Sequence, residues 1–238
     1  MKIEILYPEL CNLYGDRGNI NYLRMCLKNA EFVETSFKTE PLFIKETPAL
    51  IYLGPSNEKN QEKIIEELMP YKNRLKELID NGVVMLFTGN AGEVLFEEIE
   101  DWDGRKFKGL SVLPFTAKRD RYVRFNGLNL GLFKDKFDVM GFRSQFTMWY
   151  GDNSECAFIK CRRGAGINRE SDKEGIMVNN MIATAQLGPI LVNNPDLTRW
   201  LLDTMGAKDA EVALEDDIRK AYAARLAEFE NPKTKDIL

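Results

Sequence analysis

The fold class is decided by the stretch VVMLFTGNAG at residues 83–92, where an unbroken apolar run ends in small and polar residues. A continuous apolar run is typical of a parallel strand that is buried on both faces. A second run, ALIYL at 49–53, ends in the same way at GPSN, residues 54–57. Residues 58–80 between the two runs have helical spacing, with a break predicted at Pro70. This alternation predicts an open, doubly wound, mostly parallel α/β sheet flanked by helices.

The loops that follow the strands are expected to form the ligand-binding crevice. A third, shorter strand is predicted at residues 3–6, followed by a polar loop in which Asn19 is placed to cap a helix. In open α/β sheets, ligands bind beyond the carboxyl ends of the strands. We therefore expect the loops 7–19, 54–57 and 88–92 to share one crevice. A short helix is predicted directly after them, at residues 93–98.

The second half of the chain has more β-strand signals than the first half. Short strands separated by Gly, Asn and Asp turns are predicted at 121–125, 139–142, 156–161 and 176–178. Two helices follow, at 196–205 and from about 209 to 229. No linker or internal repeat divides the chain, so one domain is predicted over residues 1–238.

Composition excludes several kinds of chemistry. The 238 residues include no histidine, so a Ser-His or Cys-His hydrolytic mechanism cannot operate on this chain alone. The formal net charge of -4 argues against a nucleic acid as the main partner. No apolar run approaches the roughly 18 residues that span a bilayer, so no membrane span is predicted.

The cysteines indicate neither a disulfide framework nor a metal site. They are few and widely spaced, which is typical of reduced thiols in a cytoplasmic protein, and they are Cys11, Cys26, Cys156 and Cys161. A zinc site without histidine would need cysteines at paired spacing, and no EF-hand loop is present. The sequence therefore predicts no metal and no cofactor.

Four motifs in order along the chain carry a resemblance to a known family. They are LYPELCNLYGDRGNI at 6–20, MGF at 140–142, GAGIN with EG at 164–168 and 174–175, and LGPIL with NP at 187–191 and 194–195. With them the sequence resembles class I, triad-type glutamine amidotransferases of the cobyric-acid-synthase-like branch, and especially the glutaminase subunits of lipid II isoglutaminyl synthases. The resemblance implies a flavodoxin-like fold, glutamine or a related small molecule as ligand, and a Mur-ligase-like ATP-dependent amidating subunit as partner.

The chain departs from that family at the residues that carry out the chemistry. FTGN at 87–90 fits the backbone of a nucleophile elbow, but Thr88 stands where the family has its nucleophilic cysteine. Leu187 stands where the family has its histidine base, and the histidine of a Gly-Phe-Glu-Asn-His segment falls near Gln145. A threonine hydroxyl is a poor nucleophile without a positioned base. No catalytic residue is therefore expected to be intact, although Cys11 lies at the same end of the sheet.

The resemblance also indicates ligand-contacting residues. The loops supply Gly54, Gly89 and Asn90, and Asp16 and Arg17 either pair with each other or bind ligand. The family's substrate-contacting arginine aligns with Arg121, with Arg119 and Arg124 as competing alignments.

Three functions are consistent with this pattern. The first is a catalytically silent glutaminase-fold subunit that partners the amidating enzyme of peptidoglycan metabolism. The second is a sensor of glutamine-like or anionic small molecules. The third is residual amidotransferase activity that uses Thr88 or Cys11.

Overall fold

A six-stranded sheet forms the centre of the fold in the structure, a computed structural model that describes residues 1–235. Its strands are β1 (Lys2–Leu6), β2 (Glu31–Thr35), β3 (Leu50–Leu53), β4 (Val84–Thr88), β13 (Ile176–Val178) and β14 (Met181–Thr184). The strand order is β13-β14-β4-β3-β1-β2, and every neighbouring pair is parallel except β13 with β14. The predicted open, mostly parallel α/β sheet is confirmed.

Helices flank this sheet and bury it on both faces. They are α1 (Gly18–Cys26), α2 (Glu58–Leu68), α3 (Lys72–Asp80), α4 (Ile190–Asn193), α5 (Pro195–Thr204) and α6 (Glu215–Glu230). The strands β3 and β4 alternate their apolar side chains between two separate hydrophobic clusters. The break predicted at Pro70 is confirmed, because residues 69–71 form a 3-10 turn between α2 and α3. Among the described residues, no helix is long and apolar enough to cross a membrane.

Three details of the predicted helices are wrong. The residue at the N-cap of α1 is Arg17, and Asn19 lies buried inside the helix, where its Oδ1 accepts a hydrogen bond from Leu191 N at 3.0 Å. The helix predicted at 93–98 is replaced by a 3-10 helix at Gly89–Leu95. The final helix begins at Glu215 rather than near 209, because Leu214 has a left-handed φ of 55° that interrupts any helix there.

The β-rich half forms two further four-stranded sheets, with strand orders β10-β7-β5-β6 and β12-β11-β8-β9. Their strands are β5 (Glu98–Glu100), β6 (Lys106–Lys108), β7 (Thr116–Arg119), β8 (Phe125–Phe133), β9 (Phe137–Gln145), β10 (Thr147–Tyr150), β11 (Ile159–Arg163) and β12 (Lys173–Glu174).

Two strands predicted in this half are misplaced. Residues 121–124 form an exposed loop, because the carboxylate of Asp120 accepts hydrogen bonds from Tyr122 N at 2.9 Å and Val123 N at 3.2 Å and turns the chain. The strand predicted at 156–161 is shifted to β11 because Cys156 N bonds Asn153 O in a turn. The single domain predicted over 1–238 includes residues 236–238, which lie outside the described residues.

Candidate active-site crevice

The loops after β1, β3 and β4 meet at one end of the central sheet, as the sequence predicts. Leu13 N donates a hydrogen bond to Pro55 O at 3.4 Å, which joins the first two loops. The Asn90 side chain joins the second and third, because it accepts from Ser56 N at 3.0 Å and donates to Ser56 O at 2.8 Å. Both ends of the Asn90 amide therefore bind protein backbone.

A buried polar cluster lies at the floor of this crevice. The elbow cluster consists of Asp16, Asn19, Tyr52 and Thr88, and none of the four is more than 2% exposed. Asp16 Oδ2 accepts hydrogen bonds from Thr88 Oγ1 at 2.7 Å and from the Tyr52 hydroxyl, while Asp16 Oδ1 accepts from Asn19 Nδ2 at 3.1 Å. The Thr88 hydroxyl is therefore an internal hydrogen-bond donor.

Burial changes the acidity of the Asp16 carboxyl. Removal from water raises the pKa of Asp16 to about 7, and the hydrogen bonds from Tyr52 and Thr88 only partly oppose this effect. Gly54 makes room for the carboxyl, because a Cβ at that position would lie 2.9 Å from Asp16 Oδ2. The carboxyl thus changes charge near neutral pH inside the protein.

The elbow itself is covered by apolar side chains. Gly89 adopts a left-handed φ of 59°, and a Cβ there would lie 2.7 Å from Pro55 Cβ and 2.8 Å from Leu187 Cδ2. Leu187 is held in place by a hydrogen bond from its own N to Phe142 O at 2.8 Å. Positions 88 and 187 are the two that are predicted to have lost their catalytic side chains. Leu187 contacts Gly89, the residue that follows Thr88, and Thr88 itself is wholly buried.

Cys11 packs into the same end of the sheet as a core residue. It is 6% exposed, and burial raises the pKa of its thiol far above the ordinary value. A thiol with a raised pKa remains protonated and is a weak nucleophile at neutral pH.

The arginines of interest are distributed over different parts of the surface. Arg17 is exposed and pairs with Glu34 at 3.2 Å, so it does not pair with Asp16. Arg121 is exposed, and its guanidinium lies 4.8 Å from the centre of the Trp102 ring. Arg119 is buried, where it donates to Gln61 and lies 3.4 Å from Asp101.

Only the third alternative, Arg124, contacts the mouth of the crevice in the described chain. Its Nη2 donates to the Tyr14 hydroxyl at 2.6 Å, and its guanidinium lies 4.9 Å from the centre of the Phe146 ring. Tyr14 and Phe146 line a cavity of about 230 Å³ above the elbow, together with Gly89, Asn90, Gln145 and Leu187. We call this space the elbow cavity.

Residues 2–194 match the family model of the CobB/CobQ-like glutamine amidotransferase domain, which is well over half of the chain. The chain belongs to this family.

Two curated relatives and several solved structures resemble this family member. The GatD subunit of the glutamine-hydrolyzing lipid II isoglutaminyl synthase of Staphylococcus aureus (strain N315) is 29% identical over 200 residues, covering 81% of this chain and 79% of the relative. The subunit of the same name from Streptococcus pneumoniae (strain ATCC BAA-255 / R6) is 24% identical and covers 99% of this chain and 92% of the relative.

The solved structures show the fold alone, because their identities are low. A glutamine amidotransferase aligns with a TM-score of 0.54 at 13% identity, covering 86% of this chain and 99% of that one. A glutamine amidotransferase from Thermotoga maritima aligns with a TM-score of 0.53 at 14% identity, covering 94% and 92%. The class I glutamine amidotransferase fold predicted from the sequence is confirmed.

The structure adds residues to this CobB/CobQ-like site that sequence reasoning missed. Tyr52 is hidden within an apolar strand, yet its hydroxyl is the second donor to Asp16. The sequence did carry a signal for it, because Tyr52 stands next to the last residue of a buried strand and a buried tyrosine hydroxyl generally needs a hydrogen-bond partner. Tyr14 was missed because its hydroxyl binds Arg124, which is 110 residues away in the sequence. Among residues 1–235, no three His, Cys, Asp or Glu side chains converge as metal ligands do.

Proposed function

We propose that this chain is a non-catalytic glutaminase-fold subunit. It acts in the cytoplasm with a Mur-ligase-like ATP-dependent amidating enzyme of lipid II metabolism. In this role it stabilises or regulates the amidating enzyme, and ammonia comes from solution or from another glutaminase.

The observation that carries the proposal is the complete burial of Thr88, next to a Gly89 that is closely surrounded by Pro55 and Leu187. An amide substrate must approach a nucleophile to within about 3–3.5 Å. Here the hydroxyl is wholly inaccessible and already donates to Asp16. The remaining base in contact with Oγ1 is the Asp16 carboxyl, and it lies on the interior side.

The partner and pathway are supported by the relatives. Both are named as subunits of lipid II isoglutaminyl synthase, and a subunit implies an assembly. The alignment with the pneumococcal subunit covers nearly all of both chains, so an equivalent assembly is the simplest expectation.

The test combines co-purification with an assay of glutamate release. The chain is co-expressed with a Mur-ligase-like protein from the same source, and the complex is assayed with glutamine and separately with ammonium chloride. We expect a stable complex, amidation that depends on ammonium, and glutamate release equal to that of the Thr88→Ala variant. Absence of a complex, or glutamate release that Thr88→Ala abolishes, would contradict the proposal.

A second candidate function is supported by the elbow cavity, which has about 230 Å³ of space beside Tyr14 and Gln145. A pocket of this kind, with Arg124 at its mouth, suits a small amino-acid-like or anionic ligand. Thermal unfolding with glutamine and glutamate tests this function, because a ligand at 100 times its dissociation constant adds about 2.7 kcal/mol of stability. No shift with either compound would remove this candidate.

A further inference from the structure

A second cavity, which shares the lining residues Tyr14 and Leu187 with the elbow cavity, has about 420 Å³ of space. We call it the α6 cavity, because Arg225 and Phe229 of α6 form part of its wall. Its apolar wall consists of Leu128, Met140, Phe142, Leu187, Ile190 and Phe229. Small-molecule sites typically have 300–1,000 Å³ and mostly apolar walls with a few placed polar groups.

The side chains that form the wall of this cavity are held in place by neighbouring helices and strands. Met140 and Phe229 are buried against each other in a small hydrophobic cluster that joins α6 to β9. Leu187 is held by its backbone bond to Phe142, and Ile190 begins α4. The cavity is thus a preformed space between secondary-structure elements.

One cation lies on the wall of this apolar space without an acidic partner. Arg225 is exposed, and its Nη1 donates to Asn193 Oδ1 at 2.9 Å. Among the described residues, Arg225 makes no ion pair, whereas Arg219, one turn and a half earlier on the same helix, pairs with Asp196 and Glu215. The remaining guanidinium N–H groups of Arg225 are free to bind an anion that enters the cavity.

We propose that the α6 cavity binds a small amphipathic carboxylic acid. The apolar body of the ligand lies against Met140, Leu187 and Phe229, and its carboxylate accepts hydrogen bonds from Arg225. Apolar burial supplies most of the affinity, and the guanidinium sets the orientation. The replacement at position 187 contributes to this site, since a leucine gives the cavity an apolar wall where a histidine would give a polar one.

Calorimetric titration of the full chain tests the proposal with octanoate as the probe and octanamide as its neutral match. We expect octanoate to bind about fivefold more tightly than octanamide, the size expected for one exposed charge-assisted contact. In Arg225→Gln the two probes are expected to bind equally. The matched control Arg219→Gln, on the same helix, retains the fivefold difference.

A second variant tests the location independently of charge. Leu128→Trp fills the cavity from a half-buried position and is expected to abolish binding of both probes, with folding confirmed by its thermal transition. Three results would overturn the proposal: no octanoate binding, an octanoate preference that survives Arg225→Gln, or unchanged binding in folded Leu128→Trp. Glutamate release and partner binding do not enter this test, so it stands or falls separately from the proposed function.

Discussion

The polar groups at the floor of the crevice are buried, whereas those at its mouth are exposed. At the floor, the elbow cluster has no exposed hydroxyl or carboxyl, and each member binds another member or the backbone. At the mouth, Tyr14 is 49% exposed and its hydroxyl accepts a hydrogen bond from the exposed side chain of Arg124. The difference indicates that the polar groups at the floor are enclosed by the protein, while those at the mouth are exposed to solvent.

The largest effect that tests the floor is the pH dependence of stability. Asp16 has a pKa of about 7 in the folded protein against an ordinary value of 3.8, so the fold favours the protonated carboxyl. Between about pH 4 and pH 7 the folded protein holds a proton that the unfolded chain has released, and stability falls as the pH rises through this window. The expected loss is about 4 kcal/mol, because each tenfold difference in proton affinity between the folded and unfolded chains corresponds to ~1.4 kcal/mol.

The measurement is the free energy of unfolding in urea for the wild type and Asp16→Asn at pH 4 to 8. The variant removes the titrating group, so the difference between the two proteins isolates Asp16 from other buried carboxyls such as Glu93 and Glu174. A difference that is constant across this range would show that the Asp16 carboxyl is solvated and that the floor resembles the mouth.

The next effect tests how tightly the floor is covered. Gly89→Ala forces a Cβ into contact with Pro55 and Leu187 at a left-handed φ, and we expect a loss of about 3 kcal/mol. Gly15→Ala is the matched control, because Gly15 also has a left-handed φ of 73° but has no atom within 4 Å of the added Cβ. It is expected to lose about 1 kcal/mol. Equal losses of unfolding free energy in the two variants, measured by chemical denaturation, would mean that Pro55 and Leu187 move aside at little energetic cost.

A smaller effect tests the hydrogen bond from Thr88 to Asp16. Thr88→Val keeps the shape but removes the donor, and we expect a loss of about 2 kcal/mol at pH 5, because a buried acceptor loses one partner. Thr88→Ser keeps the hydroxyl and is expected to lose about 1 kcal/mol for the missing methyl group. A Thr88→Val protein as stable as the wild type would show that this hydrogen bond contributes nothing.

The smallest effects concern the exposed arginines near the mouth. Arg121→Ala and Arg124→Ala are each expected to change stability by less than about 0.5 kcal/mol, because both side chains are exposed. If the elbow cavity binds glutamate, Arg124→Ala weakens the thermal shift and Arg121→Ala leaves it unchanged, since Arg124 contacts the lining residue Tyr14. The reverse pattern would favour the alignment that selects Arg121 as the ligand contact.

The first half of the fold could be predicted from the sequence because its signals are local. The runs 49–53 and 83–87 are apolar on both faces, which is typical of parallel strands buried between two layers, and the structure places them so. The strands near 121–125 and 156–161 were misplaced because the side chain of Asp120 and the turn at Cys156 redirect the chain.

The sequence by itself determined the fold class and the crevice between the three loops, and it predicts the loss of histidine and cysteine at positions 187 and 88. Those conclusions depend on residue type and order, which periodicity and motif spacing express directly. Only the tertiary structure decided that Thr88 donates to Asp16, that Leu187 covers Gly89 and that Arg124, 110 residues from Tyr14, lies at the mouth. These contacts join residues distant in sequence, and their geometry is set by how the sheets and helices pack.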